Sequence, residues 1–426
     1  MLYYWLKRPI RVAFKVFFRK VFIVNEELLP KGKPIIFASN HPTAFLDPIL
    51  PASYLKRPLY FALRGDTFTS KMSKFFLAQV HCLPFFRFGD GFQSLRQNAA
   101  TFKQIYSLLA SGDYDFLIMA EGAHSHRKKL QPIQKGTANI AFGAWKKHQL
   151  DDLVIVPTGC NYTDSHQFRS WVTMKFGEPI LLKDYLDVYQ EDERKGVEEL
   201  TEEIQLRLRK IVVHIEHDAD DVQVNQLLDI DRNNRRIPVF PIRSGDSSML
   251  KREIRIANVV NTMEQEDKVE LFELLDSYQN DIRENGLSDL GLAQPNRYNL
   301  FNSVLLLLGF IPFLIGFSLN WPPFRICYAI VDRMAKKIEF HASLRFTFGM
   351  FMVPIWWLIL FGIALIAGAG WWSFFVLLLP FLGYFALTYK ELFEKWNAAR
   401  KVRFNKKELT RKLTLRREDL LGRVDD

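Results

Sequence analysis

Two stretches of this chain, residues 298–324 and 346–389, carry no charged residue. A helix needs about 20 apolar residues to cross the ~30 Å hydrocarbon core of a bilayer. These stretches therefore commit the chain to lipid before any other feature is read. The second is 44 residues long and is interrupted by Ala367-Gly368-Ala369-Gly370, which predicts a transmembrane helical hairpin. The first contains Gly309, Pro312 and Gly316 and reads as a re-entrant or spanning segment. Flanking charge sets the expected sidedness. The loop between the stretches holds Arg325, Arg333, Lys336, Lys337 and Arg345, and the basic tail 390–426 holds 12 Lys/Arg against seven acids. Positive charge favours the cytoplasmic side, so loop and tail are placed there and the uncharged turn outside. That arrangement requires residues 298–324 to enter and leave on one side, bending at the glycines and the proline.

The remainder divides by composition. Residues 1–30 open with six Lys/Arg and no acid before Glu26. Lys7, Arg11, Lys15 and Arg19 recur every four residues, with Phe14, Phe17, Phe18, Val21 and Phe22 mostly off that stripe. This predicts an amphipathic helix at the membrane interface. Residues 31–181 read as α/β, with apolar strand-like runs at 34–39, 59–63, 82–86, 115–119, 153–156 and 171–176. Residues 182–297 are charged and helix-favouring and read as a helical inserted domain. The expected fold class is a mixed sheet with flanking helices, plus that insert and C-terminal membrane helices. The net charge of +10 comes from basic residues that flank apolar segments, which favours a membrane-lipid partner over nucleic acid. Cys82, Cys160 and Cys327 form no CxxC pair, so neither a disulfide framework nor a zinc ribbon is expected, and His124 and His126 lack a third well-spaced ligand for a metal.

Several of the strand-like runs end in chemically loaded residues. After the run at 34–39 come Asn40-His41-Pro42-Thr43-Ala44-Phe45-Leu46-Asp47. A histidine following a strand, with an aspartate close behind, can form a general base and the carboxylate that orients it. If the substrate supplies the hydroxyl, no side-chain nucleophile is required. Arg87 follows Leu83-Pro84-Phe85-Phe86 and offers a fork for phosphate. Glu121-Gly122-Ala123-His124-Ser125 follows the run at 115–119, and Lys135 lies just beyond. Pro157-Thr158-Gly159 reads as a rigid turn ending the run at 153–156. In α/β sheets, ligand sites gather at such carboxyl ends.

In order and spacing, these four blocks resemble those of the glycerolipid acyltransferase family, which includes glycerol-3-phosphate and lysophosphatidic acid acyltransferases. The resemblance covers roughly residues 35–180. More loosely, the insert and apolar hairpin are similar to those of fungal-type glycerol-3-phosphate acyltransferases, as is Gly159-Cys160-Asn161-Tyr162. The resemblance implies that His41 and Asp47 are catalytic. It implies that Arg87, Glu121, Gly122, Ser125, Lys135 and Pro157 bind substrate. The acyl group would come from acyl-CoA or acyl carrier protein as co-substrate, with no cofactor, and pass to a hydroxyl of lysophosphatidic acid. Glycerol 3-phosphate or a lyso-aminolipid is the alternative acceptor, and a non-catalytic lipid-binding scaffold is the alternative of another class. The catalytic domain of an integral membrane enzyme would face the cytoplasm. Two departures stand out. Five residues separate His41 from Asp47 where the family has four, and Glu-Gly-Ala-His replaces its common Glu-Gly-Thr-Arg. The extra residue rotates a helical position by about 100°, so a local loop must restore the pair.

Overall fold

A computed structural model describes residues 2–86 and 92–425. Among them, nine strands form one mixed sheet: β1 Lys20–Val24, β2 Ile35–Ser39, β3 Leu59–Arg64, β4 Cys82–Phe85, β5 Asp115–Met119, β6 Val154–Tyr162, β7 Trp171–Phe176, β8 Ile180–Leu181 and β9 Arg243–Ser244. The order is β4-β3-β5-β2-β6-β7-β1-β9, with β8 beside β6. β2 lies in the middle, parallel to both β5 and β6. A central parallel strand is buried on both faces, which is why residues 35–38 are apolar throughout rather than alternating. Ile36 and Ala38 face a core shared with Ile105, Phe142, Leu200 and Leu208. Phe37 points the opposite way, its ring 5.8 Å from that of Phe176.

Flanking this sheet are α1 Leu2–Phe17, α2 Leu46–Tyr54, α3 Lys71–Gln79, α4 Phe92–Ser111, α5 Gly136–His148, α6 Leu186–Glu191 and α7 Glu193–Arg209. α1 is tied to α2 by Tyr3 Oη donating to Ala52 O (3.1 Å) and Lys7 Nζ to Leu55 O (2.7 Å). The interfacial helix expected over residues 1–30 ends at Phe17. Val21 and Phe22 belong instead to β1, which is wholly buried and pairs in parallel with β7. Nor does the sheet stop at Pro157. β6 runs on to Tyr162, antiparallel to β7 from Thr158 onward. Pro157 is a buried strand residue whose carbonyl accepts from Gly177 N–H at 2.8 Å. Gly159 is small because a Cβ there would meet Ile211 O at 2.8 Å, not because the chain turns.

The chain forms two compact units. The first comprises Met1–His214, Val239–Leu250 and Lys337–Ser343. The start of the expected insert, including α7, therefore packs with the sheet. The second unit comprises Ile215–Pro238, Lys251–Lys336 and Leu344–Asp426. The remaining helices are α8 Asp221–Asn233, α9 Ser248–Thr262, α10 Gln265–Glu284, α11 Asp289–Ala293, α12 Leu300–Met334, α13 His341–Ile366, α14 Leu379–Arg403 and α15 Lys407–Gly422. In the second unit, the tail helix α15 packs on α10 and α8. Its buried Arg417 donates to Asp289 Oδ1, Asn234 Oδ1 and Ile230 O, each at 2.7 Å.

Among the described residues, three helical segments are long and apolar enough to cross a membrane: Leu300–Met334, Ile338–Ile366 and Gly370–Arg403. The break between the last two falls where the sequence placed it, with Gly368 and Gly370 at positive φ. The bend expected within residues 298–324 is absent. α12 continues through Gly309, Pro312 and Gly316 as one helix of 35 residues. The two glycines serve close packing against α14 instead. A Cβ at Gly316 would lie 2.2 Å from Leu382 O, and one at Gly309 would lie 3.1 Å from the Phe385 ring. Asn320 closes the seam, donating to Gly316 O (2.8 Å) and Leu379 O (3.2 Å) and accepting from Trp357 Nε1 (2.9 Å).

This packing makes two helical glycines behave oppositely. Gly349 in α13 has nothing within 4 Å of a Cβ. Gly349→Ala should hold or raise the thermal midpoint in detergent, since alanine gains about 1 kcal/mol over glycine in a helix. Gly316→Ala should lower it, because backbone must move to admit the methyl.

Candidate functional site

The site lies in the first unit, where β2 ends. His41 is fixed first through its own backbone. Its N–H donates to Glu121 Oε1 (2.8 Å), and its carbonyl accepts from Ser125 N–H (3.0 Å). Glu121 Oε2 in turn accepts from Gln131 N–H at 3.0 Å. Both carboxylate oxygens thus serve backbone donors. Gly122 turns the chain beyond Glu121 at φ +71°, with Gln134 Cγ 3.1 Å from where a Cβ would stand.

The His41 side chain is fixed next. Its Nδ1 lies 2.9 Å from Asp47 Oδ2. Asp47 sits in the first turn of α2, and residues 40–45 run before it as a non-helical loop. That loop absorbs the extra residue of the interval. Asp47 is fully buried. It also accepts from Thr43 N–H, Thr43 Oγ1 and Tyr162 Oη, each at 2.8 Å. A carboxylate has only acceptors to offer, so Nδ1 donates to it, and the Nε2 of His41 carries the free lone pair.

Asn40 supplies the remaining brace. Its amide donates to Cys160 O (3.0 Å) and accepts from Cys160 N–H (2.7 Å), locking the end of β2 to β6. Thr43 and the phenol of Tyr162 carried no role in the sequence reading. Thr43 stands four residues before Asp47, a spacing that a loop makes meaningful. Tyr162 is visible only once β6 is known to run past Gly159.

Beside the pair lies a polar pocket open to solvent. Asn40, Glu121, Ser125 and Asn161 line it together with Arg127, Lys128 and Lys129. Lys135 does not join this lining. It pairs with Glu198 of α7 at 2.7 Å, both side chains being exposed. Arg87 falls outside the described residues. Burial raises the Cys160 thiol far above its ordinary range, so it is no ready nucleophile. Burial also pushes Glu121 up to about 7, against the lowering effect of its two backbone donors.

That shift has a sign. The folded Glu121 carboxyl keeps its proton to about pH 7, whereas an unfolded glutamate loses it near 4.5. The folded state binds more protons across this window, so this group's contribution to stability falls as pH rises through it. Thermal midpoints measured from pH 5 to pH 8 should therefore decline more for the wild type than for Glu121→Gln. Equal slopes would contradict the assignment.

A family model described as Acyltransferase matches residues 20–161, the stretch from β1 into β6. Two proteins of Saccharomyces cerevisiae are similar to part of the chain. Glycerol-3-phosphate O-acyltransferase 1 is 36% identical over 99 residues, which cover 22% of this chain and 13% of that protein. Glycerol-3-phosphate O-acyltransferase 2 is 30% identical over 108 residues, covering 25% and 14%. The chain thus spans about one seventh of the length of these curated relatives. Among solved structures, the 1-acyl-sn-glycerophosphate (LPA) acyltransferase PlsC of Thermotoga maritima aligns with a TM-score of 0.34 at 17% identity, over 47% of this chain and 77% of that one. The family match takes in β2 and its His41 terminus: residues 20–161, about a third of this chain, are similar to the Acyltransferase family model.

Proposed function

We propose that the chain transfers a fatty acyl group from a thioester to a hydroxyl of a phosphorylated glycerol backbone. The observation that carries this is the buried Asp47 holding His41 at 2.9 Å inside the acyltransferase match. His41 Nε2 takes the proton of the acceptor hydroxyl as its oxygen attacks the thioester carbonyl. The tetrahedral intermediate then expels the thiol, which receives that proton from the imidazolium. Asp47 holds the tautomer and stabilises the imidazolium. Glu121, Gly122 and Ser125 set the His41 backbone, and Pro157 sets the β6 side of the same strand pair. The basic lining at Arg127, Lys128 and Lys129 suits the phosphate of the acceptor or of a coenzyme A donor. Lysophosphatidic acid is the acceptor of this reading. Glycerol 3-phosphate is a second one, favoured by the names of the two yeast relatives. The donor is acyl-CoA or acyl carrier protein, and membrane lipid is the medium.

Sidedness follows from the second unit. α15 packs on α8 and α10, which precede α12 in the chain. Insert and tail therefore share one side of the bilayer, so in this reading two of the three candidate helices, an even count, cross fully and the third does not, even though α12 is unbent. The basic tail makes that side the cytoplasm. Exposed Tyr4, Trp5 and Val12 on α1, interspersed with Arg8 and Lys15, support the interfacial reading of that helix.

Two measurements test these readings. Purified protein should acylate lysophosphatidic acid or glycerol 3-phosphate. His41→Ala should lose about 10²–10⁴-fold while still folding in the membrane, and activity within a few-fold of wild type would end the mechanism. Single cysteines at Glu273 and Lys406 should label from the same face of sealed vesicles. Labelling from opposite faces would refute the even count.

A further inference from the structure

The segment Lys337–Ser343 follows α12 by a few residues, yet it belongs to the first unit, some 300 positions along the chain from His41. Four contacts fix it beside the site. Phe45 N–H donates to Ser343 Oγ at 3.1 Å, and Ser343 is fully buried. The Phe340 ring meets that of Phe45 at 5.7 Å and that of His124 at 5.4 Å. Glu339 Oε1 lies 3.7 Å from His126 Nδ1. The His124 ring stands edge-on to His41 at 5.7 Å. Phe340 is thus one ring removed from the proposed base, and both it and Phe45 are only partly buried.

Two kinds of surface thus lie near His41. The pocket offers Asn40, Glu121, Ser125 and a run of cations. The edge-on contacts through His124 bring two aromatic rings from segments far apart in sequence. A fatty acyl-CoA has the same division: its carbonyl and phosphates are polar, and its chain gains from contact with apolar surface. A segment that only joined two apolar helices would not need a buried serine hydroxyl bonded to the loop that leads into Asp47.

We infer that Phe340, braced by Ser343 and paired with Phe45, is a specificity-determining residue: the two rings form the wall against which the acyl chain of the donor lies during transfer at His41. This rests on the acyl-transfer reading above. The wall acts on chain length rather than on the chemistry of the carbonyl, so its signature is a ratio. In purified full-length protein, the kcat/KM for palmitoyl-CoA divided by that for butanoyl-CoA should fall about tenfold in Phe340→Ala and recover in Phe340→Leu. Ser343→Ala should lower the same ratio, and Ser343→Thr, which keeps the hydroxyl, should restore it. An unchanged ratio in both Phe340→Ala and Ser343→Ala, whether or not overall rate drops, overturns the inference and leaves the acyl-transfer reading standing. Absence of transfer by the wild type to any phosphorylated glycerol acceptor overturns that reading and this inference together. Should Phe340→Ala fail to fold, the Ser343 pair decides.

Discussion

The buried carboxylate of Asp47 is the interaction on which the site depends. A charge removed from water costs several kcal/mol unless hydrogen bonds replace its hydration. Here four donors do so: Thr43 twice, Tyr162 and His41. Each ties down a different part of the fold. Thr43 shapes the loop after β2, Tyr162 reports the far end of β6, and His41 becomes the one partner whose other ring nitrogen remains available. Asn40 and Glu121 make the same connection at backbone level, joining β2 to β6 and to the segment after β5. Three parallel-paired strands thus converge on one imidazole.

The second unit solves a different problem. Its apolar helices gain little from hydrophobic burial against each other in lipid, so small residues and buried polar groups provide the packing. Gly309, Gly316 and Asn320 on α12 face α14 in that way, and Tyr389 Oη donates to Leu306 O at 2.9 Å. Residues that suggested a bend by type alone are thus seam residues by position.

The sequence was most readable where apolar runs were short and bounded. β2, β3, β4, β5 and β7 fall within a residue or two of their expected limits, and His41, Asp47 and Glu121 converge although 80 positions separate the first and last. β1 was hidden because Val21 and Phe22 also extend an amphipathic basic helix, and only pairing with β7 distinguishes the two. The far half of β6 was hidden because Pro157 and Gly159 are turn formers in isolation. Their actual constraint is a close approach by Ile211, distant in sequence. The Lys135 ion pair with Glu198 was not legible either, because the helix that carries Glu198 docks by no local pattern.

The central claim is that His41 activates the acceptor's own hydroxyl, so that no acyl-enzyme forms. Rapid mixing of purified protein with acyl-CoA alone tests it most directly, with free thiol followed in time. The account predicts no release of thiol until a phosphorylated glycerol acceptor is added, and then release in step with the acylated product. A burst of thiol equal to the enzyme concentration before any acceptor is present, with the acyl group recovered on a side chain, would contradict it.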